Sequence, residues 1–151
     1  MLGRTVNSLI SALCVLLLIA TPATAEIIRF EIALSGAEQV PPADTEGTGV
    51  LTAEFDTRTR QFSWTVRYDS LTGPPTAAHF HGPAEAGFNG PVALPIDPPL
   101  NDPLVGQAIL SLELTGYLLD GLLYINIHSA AFPGGEIRGQ LVPMDSSAAA
   151  E

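Results

Sequence analysis

The sequence predicts an all-β domain, an antiparallel Greek-key or immunoglobulin-like β-sandwich of about seven to eight strands. Three observations carry that prediction. Short stretches alternate apolar and polar side chains with the period of two that a half-buried strand requires. Glycine and proline, 14 and 13 of them in 151 residues, cluster between those stretches and mark turns. Beyond the N-terminal leader no stretch sustains a long helical repeat, and no internal repeat is visible.

Residues 1–25 read as a cleaved signal peptide. Arg4 supplies the charged start, Leu9 to Ile19 is an apolar run short for a membrane span, and Ala23-Thr24-Ala25 is a cleavage signal, so Glu26 would be the first mature residue. The product is expected to be secreted or periplasmic, and nothing after Val142 resembles an anchor. The domain would span 26–143, with 144–151 a flexible tail. The lone cysteine, Cys14, lies inside the leader, and the bulky Leu13 before it is wrong for lipid attachment. The mature chain would therefore have no disulfide, leaving an apolar core, a metal, or both to hold it. Removing Arg4 with the leader takes the formal charge from −10 to −11. Such a surface repels nucleic acid and anionic lipid, and about 126 residues suit a single core.

Each strand follows from its own pattern. Ile27 to Leu34 partly alternates and is closed by Gly36 and Pro41-Pro42. Gly47 to Phe55 and Gln61 to Tyr68 form a hairpin across Asp56–Arg60, with Phe62, Trp64, Val66 and Tyr68 on the core face. Ser70 to Pro75 is a turn and Thr76 to His81 a short strand. Residues 82–99 hold three glycines and five prolines, which exclude a helix or a central strand. A loop of that length in a small domain is usually functional or packed down. Gln107 to Thr115 is expected as a strand, Tyr117 to Gly121 as one helical turn, and Leu122 to His128 as a strand. Pro133-Gly134-Gly135 then turns the chain into a closing strand, Glu136 to Val142.

Candidate chemistry centres on Ala78-His79-Phe80-His81-Gly82, which holds two of the three histidines. On a strand, residues two apart share a face, so His79 and His81 stand side by side while Ala78 and Phe80 point away. With His128 from a distant strand they would suit one copper or zinc ion. The competing reading is three hydrogen-bonded histidines tying loops together. A symmetric final hairpin sets His128 against Glu136, Asn126 against Arg138 and Tyr124 against Gln140, all on one face. That face reads either as a solvated sheet surface with a weak cross-strand ion pair, or as a support in which Glu136, Arg138, Asn126 and Tyr124 orient the histidines. Glu136 is also a candidate extra ligand. Calcium around Asp97 and Asp102 would be a third reading, although no spaced D-x-D-x-D loop is present. No G-x-S-x-G elbow or surviving thiol marks a nucleophile, so enzymatic activity is not indicated.

Glu38-Gln39-Val40-Pro41-Pro42, the segment Ala78 to Ala84, Leu123 to Ser129, and Pro133 to Leu141 occur in an order that resembles the CHRD domain, the module named after chordin. The resemblance runs from about Glu26 to Val142. It implies an extracellular β-sandwich acting as a binding or interaction module, whose partner would be a protein or a glycan. The ligand and the oligomeric state are left open. The H-x-H strand, the later histidine and the late Gly-x-Ile-Arg-Gly-like segment also resemble copper/zinc superoxide dismutase, implying a copper or zinc protein with redox or dismutase-like activity. Three histidines in all exclude that enzyme's dinuclear site and leave a mononuclear one.

Overall fold

The structure, a computed structural model, describes residues 25–144. The expected leader up to Thr24 and the tail beyond Met144 lie outside the described residues. Eight strands follow in order: β1 (Ile27–Ser35), β2 (Thr48–Asp56), β3 (Gln61–Asp69), β4 (Pro75–His81), β5 (Val92–Pro95), β6 (Leu104–Ile109), β7 (Tyr124–Ser129) and β8 (Ile137–Gln140). One helix, α1 (Leu112–Leu119), precedes β7, and a 3-10 turn (Gly36–Glu38) follows β1. All pairings are antiparallel, in the order β5-β4-β7-β8-β1-β2-β3-β6. The curled sheet is nearly two sheets, because β1 and β8 meet through the single pair Ser35 and Arg138. It closes over itself, and the expected all-β sandwich is what forms.

Alternation explains the core. Phe62, Trp64 and Val66 of β3 point inward, as do Phe30 and Leu34 of β1, Leu51, Ala53 and Phe55 of β2, and Ala78 and Phe80 of β4. The two halves meet through Phe80, whose ring centroid lies 5.4 Å from Phe62 and 5.0 Å from Trp64 in edge-on geometry. Such pairs add about 0.5–1.5 kcal/mol each beyond area burial. Trp64 reaches across its neighbour strand at Gly106, where an added Cβ would lie 2.5 Å from the indole ring. Only a glycine lets the ring approach the backbone so closely.

The β2–β3 turn is built as the sequence suggests, with the Asp56 carboxylate accepting from Arg58 N–H at 2.8 Å and Thr59 N–H at 2.9 Å. The proline-rich segment 82–99 does contain a strand, β5, but it occupies the sheet edge, where proline costs no ladder bond.

Two expectations are overturned. The strand expected at Gln107 to Thr115 is instead β6, ending at Ile109, followed by α1. The Ser111 side chain accepts from Leu114 N–H at 3.1 Å and starts the helix. The leucines at 110, 112 and 114 fit a strand, yet Leu110, Leu114, Tyr117 and Leu118 also share one helical face, and Leu118 is fully buried while Leu112 is exposed. Tyr117 O–H donating to Glu113 at 2.9 Å, one turn back, completes the helix. Ser111→Ala should cost about 1 kcal/mol, read as a lowered urea midpoint with an unchanged slope.

The second correction concerns the face shared by β7 and β8. The register is as expected, with Tyr124 opposite Gln140 and Asn126 opposite Arg138. The face is not a solvated surface, because Tyr124, Asn126, Glu136 and Arg138 are all buried under connecting segments. Nor do Glu136 and Arg138 form an ion pair. Among the described residues the ion pairs are Arg29–Glu54 and Arg67–Asp102, both on the surface.

Candidate metal centre

β4 lies between β5 and β7, and the pairing of β4 with β7 assembles the site: His79 is opposite Asn126, Ala77 opposite His128, and His81 opposite Tyr124. Because Ala78 and Phe80 are anchored in the core, His79 and His81 must project from the other face. His128, from the same face of β7, comes between them and the turn that follows. Each of the three histidines is half-buried, and each offers one ring nitrogen such that these nitrogens lie within 4.8 Å of one another.

Hydrogen bonds fix which nitrogens are free. His81 Nδ1 lies 3.0 Å from Gly90 carbonyl oxygen, and His128 Nδ1 lies 2.9 Å from Pro133 carbonyl oxygen. A carbonyl only accepts, so in both rings Nδ1 carries a proton, and in the neutral form of each ring Nε2 keeps the lone pair. His81 Nε2 is buried without a hydrogen-bond partner. His79 Nδ1 stands 3.3 Å from His128 Nε2. Two nitrogens bound tetrahedrally to one zinc at about 2.0–2.1 Å would be about 3.3–3.4 Å apart, so this pair already has the spacing of ligands. The carbonyl partners also supply the orienting contact that metal-bound imidazoles usually have.

The electrostatics favour neutral rings at His79 and His81. Burial pushes His79 below its ordinary value, helped by the neighbouring charges of His128 and His81. Burial also lowers His81, opposed by its bond to Gly90 and aided by His128 and Arg138. A neutral imidazole is the ligating form.

The remaining expected residues divide. Tyr124 stacks flat on His81, with centroids 4.9 Å apart and planes 7° from parallel, and its hydroxyl meets Gly90 N–H at 3.2 Å. Arg138 covers the opposite face of that ring at 3.5 Å, forming a His81–Tyr124–Arg138 sandwich. Asn126 Oδ1 lies 3.0 Å from His128 Nε2. Glu136 is engaged elsewhere: its carboxylate accepts from the Thr45 hydroxyl at 2.7 Å, from Thr72 N–H at 2.8 Å and from the Thr72 hydroxyl at 3.0 Å. It makes no hydrogen bond to a histidine. Asp97 and Asp102 join no cluster of three potential ligands among the described residues, and Asp102 accepts from Tyr68 N–H.

The family model of the CHRD domain matches residues 30–141. The chain belongs to the CHRD domain family. CHRD domains occur in extracellular or secreted proteins. No curated protein and no solved structure matches the chain. No helix among the described residues is long and apolar enough to cross a membrane. In this CHRD domain the segments that carry the resemblance meet in space. The Ala78 to Ala84 and Leu123 to Ser129 segments bring the histidines, Pro133 to Leu141 brings Arg138 and the Pro133 carbonyl, and Asn89 donates to Val40 carbonyl at 2.8 Å, tying the loop after β4 to Glu38–Pro42.

Sequence reasoning missed the two carbonyls, Gly90 and Pro133, because backbone groups leave no mark in side-chain pattern. It missed Gln39 as a site neighbour too. Gln39 is buried, with its Nε2 unpartnered. Its place in the family motif was the available signal.

Proposed function

We propose that this is an exported, single-domain interaction module whose working centre is a mononuclear metal site formed by His79, His81 and His128. One observation carries the reading: three imidazoles from two adjacent strands converge, and two of them have their protons committed to backbone carbonyls on the far side. Histidines serving only as loop ties would spend both ring nitrogens on protein partners, and His81 does not. The nitrogen donors suit copper or zinc better than calcium or magnesium, which take oxygen. Because all three rings are partly exposed, a bound ion would keep a side open to a ligand from a protein or glycan partner. The acidic surface argues against nucleic acid as that partner. Bound copper would supply one-electron chemistry and bound zinc a Lewis acid.

Elemental analysis of the mature protein, purified without a histidine tag, tests this reading beside the triple His79→Ala/His81→Ala/His128→Ala variant. About one equivalent of copper or zinc in the wild type and none in the variant is expected. The single His79→Ala change should also abolish tight copper binding while leaving the fold in place, since the ring lies off the core face. Metal-free protein in both samples, after equilibration with either ion, would refute the site.

A further inference from the structure

The two edges of the sheet are finished in opposite ways. β5 ends the strand order on one side and β6 on the other. A free edge presents unpaired N–H and C=O groups, and proteins blunt it with short strands, prolines, bulges or charged side chains. β5 has three of these devices: it is four residues long, prolines stand at 91 and 95, and its pairing with β4 is bulged between Phe80 and His81. β6 has none of them. Its sequence, Leu-Val-Gly-Gln-Ala-Ile, contains no proline and no ionisable side chain, in a chain of formal charge −10, and its ladder with β3 runs without a register shift. Val105 and Ile109 are 70% and 72% exposed.

Two contacts with β3 settle which way the main-chain groups of β6 point. Leu110 N–H donates to the Arg60 carbonyl at 2.9 Å, and the Asp102 carboxylate accepts from Tyr68 N–H at 3.1 Å. Successive residues of a strand turn their N–H and C=O to opposite sides, so Leu104, Gly106, Ala108 and Leu110 face β3, while Val105, Gln107 and Ile109 turn theirs to the open edge. Antiparallel pairing of this edge with itself about Gln107 sets Val105 against Ile109 of a second copy, Gly106 against Ala108, and Gln107 against Gln107. The order Val-Gly-Gln-Ala-Ile is the same in type from either end, so β-branched residues meet β-branched and small residues meet small. Every outward N–H and C=O then falls in a hydrogen-bonded pair. On the same face β3 carries Gln61, Ser63 and Thr65, so the rungs that meet hold no charge out to β3 in either copy.

We propose that β6 pairs antiparallel with β6 of a second copy of this chain, joining the two sheets in a two-fold dimer. Two chains this acidic repel over most of their surface, and β6 is a seam that brings no like charges opposite each other. A two-fold interface must be complementary to itself, which the order of side chains along β6 satisfies and a foreign strand would not require. The seam contains no histidine, so the proposal is independent of the metal reading. A single strand pair is at the small end of interface sizes, and the expected Kd is about 10–100 µM.

Sedimentation velocity of the mature protein from about 5 to 500 µM spans that range. Wild type should pass from monomer to dimer, and the Kd should fall about two- to fivefold as salt rises from about 0.05 to 0.5 M, because screening weakens the repulsion between acidic chains. Gln107→Pro removes an N–H that points away from β3, so the fold should stay and dimerisation should weaken at least about 50-fold. Val105→Lys puts a guarding charge on the edge and should weaken it at least about tenfold. In Gln107→Cys the two thiols would face each other across a hydrogen-bonded pair, with Cα atoms about 5.5 Å apart, so mild oxidation should give a covalent dimer. Val50→Cys, on the outer face of β2 and away from the edge, should not crosslink comparably. The variant lacking all three histidines should dimerise as wild type does. A wild type that stays monomeric throughout would overturn the second copy as occupant and leave the edge to a strand of another protein. A dimer that survives both Gln107→Pro and Val105→Lys, that crosslinks no faster at 107 than at 50, or that vanishes with the histidines would overturn the β6 seam. If Gln107→Pro does not fold, Val105→Lys and the crosslink decide.

Discussion

Replacing Glu136 with alanine should destabilise the domain by about 3–5 kcal/mol and lower its melting temperature by about 10–20 °C. The residue is fully buried immediately before β8. It ties together three segments far apart in sequence. Thr45 lies in the loop before β2, Thr72 in the turn before β4, and Ser129, which shares a hydrogen bond with Thr72 at 3.1 Å, ends β7. The alanine variant removes the acceptor shared by the Thr45 hydroxyl and the Thr72 N–H and hydroxyl, and it leaves a cavity where a fully buried side chain stood.

The carboxylate is held by neutral donors alone, so its charge has a measurable pH signature. Burial works to raise the Glu136 carboxyl, but the hydrogen bonds from Ser129, Thr45 and Thr72 outweigh it and hold the group below the ordinary carboxylate range. A carboxyl lowered in the folded state contributes stability that is present above its unfolded value, about 4.3, and is lost as pH falls through its folded value. The wild type should therefore lose stability progressively below about pH 4.3. Glu136→Gln, with similar shape but no charge, should be less stable at neutral pH by about 2 kcal/mol and should lack this part of the acid-sensitive limb. Denaturant titrations of both proteins from pH 3 to 7 check it. Parallel stability curves for the two would show that the acid response comes from other groups.

How much of this was legible before the structure depends on whether a feature is local. The facing of His79 and His81 follows from strand parity around Ala78 and Phe80, and the pairing of Asn126 with Arg138 follows from a short symmetric turn. Both needed only neighbouring residues. The arrival of His128 beside His79 needed the knowledge that β4 and β7, some fifty residues apart, are adjacent in the sheet, and no side-chain pattern encodes that. The burial of Glu136 and Arg138 was hidden for a related reason. What covers them is loop backbone from 45–47, 70–74 and 83–90, and polar residues alternating along a strand look alike whether water or a loop lies above them. The helix at 112–119 was lost to an ambiguity of periods, since leucines at 110, 112 and 114 satisfy a strand while 110, 114, 117 and 118 satisfy a helix. Ser111 as a cap was the deciding signal.

Arg138→Met should cost about 2–4 kcal/mol and release the loop that follows β4. The arithmetic is not obvious, because a buried cation without a carboxylate partner is expensive, and replacing one by an apolar residue of similar volume can be neutral. Desolvation does pull the Arg138 guanidinium below its ordinary value, against the opposing influence of Tyr124 and Glu38. What decides the sign is the set of groups that depend on it. Arg138 donates to Phe88 carbonyl at 2.9 Å, to Asn89 Oδ1 at 3.2 Å and to Gln140 Oε1 at 3.3 Å, and it covers the Tyr124 ring. Methionine fills the space but donates nothing, so three acceptors lose their donor and the cation–π contact is lost as well. Lysine should not rescue the variant, since one compact ammonium cannot span two loop positions and lie flat on a ring. The released loop carries Gly90, whose carbonyl holds the His81 proton away from the site. Arg138→Met should therefore also weaken metal binding by about 10- to 100-fold, although it touches no histidine. Urea denaturation, limited proteolysis between residues 83 and 91, and a Co(II) titration read the three effects. Loop cleavage at the wild-type rate with unchanged metal affinity would show that Arg138 does not brace the site through Gly90.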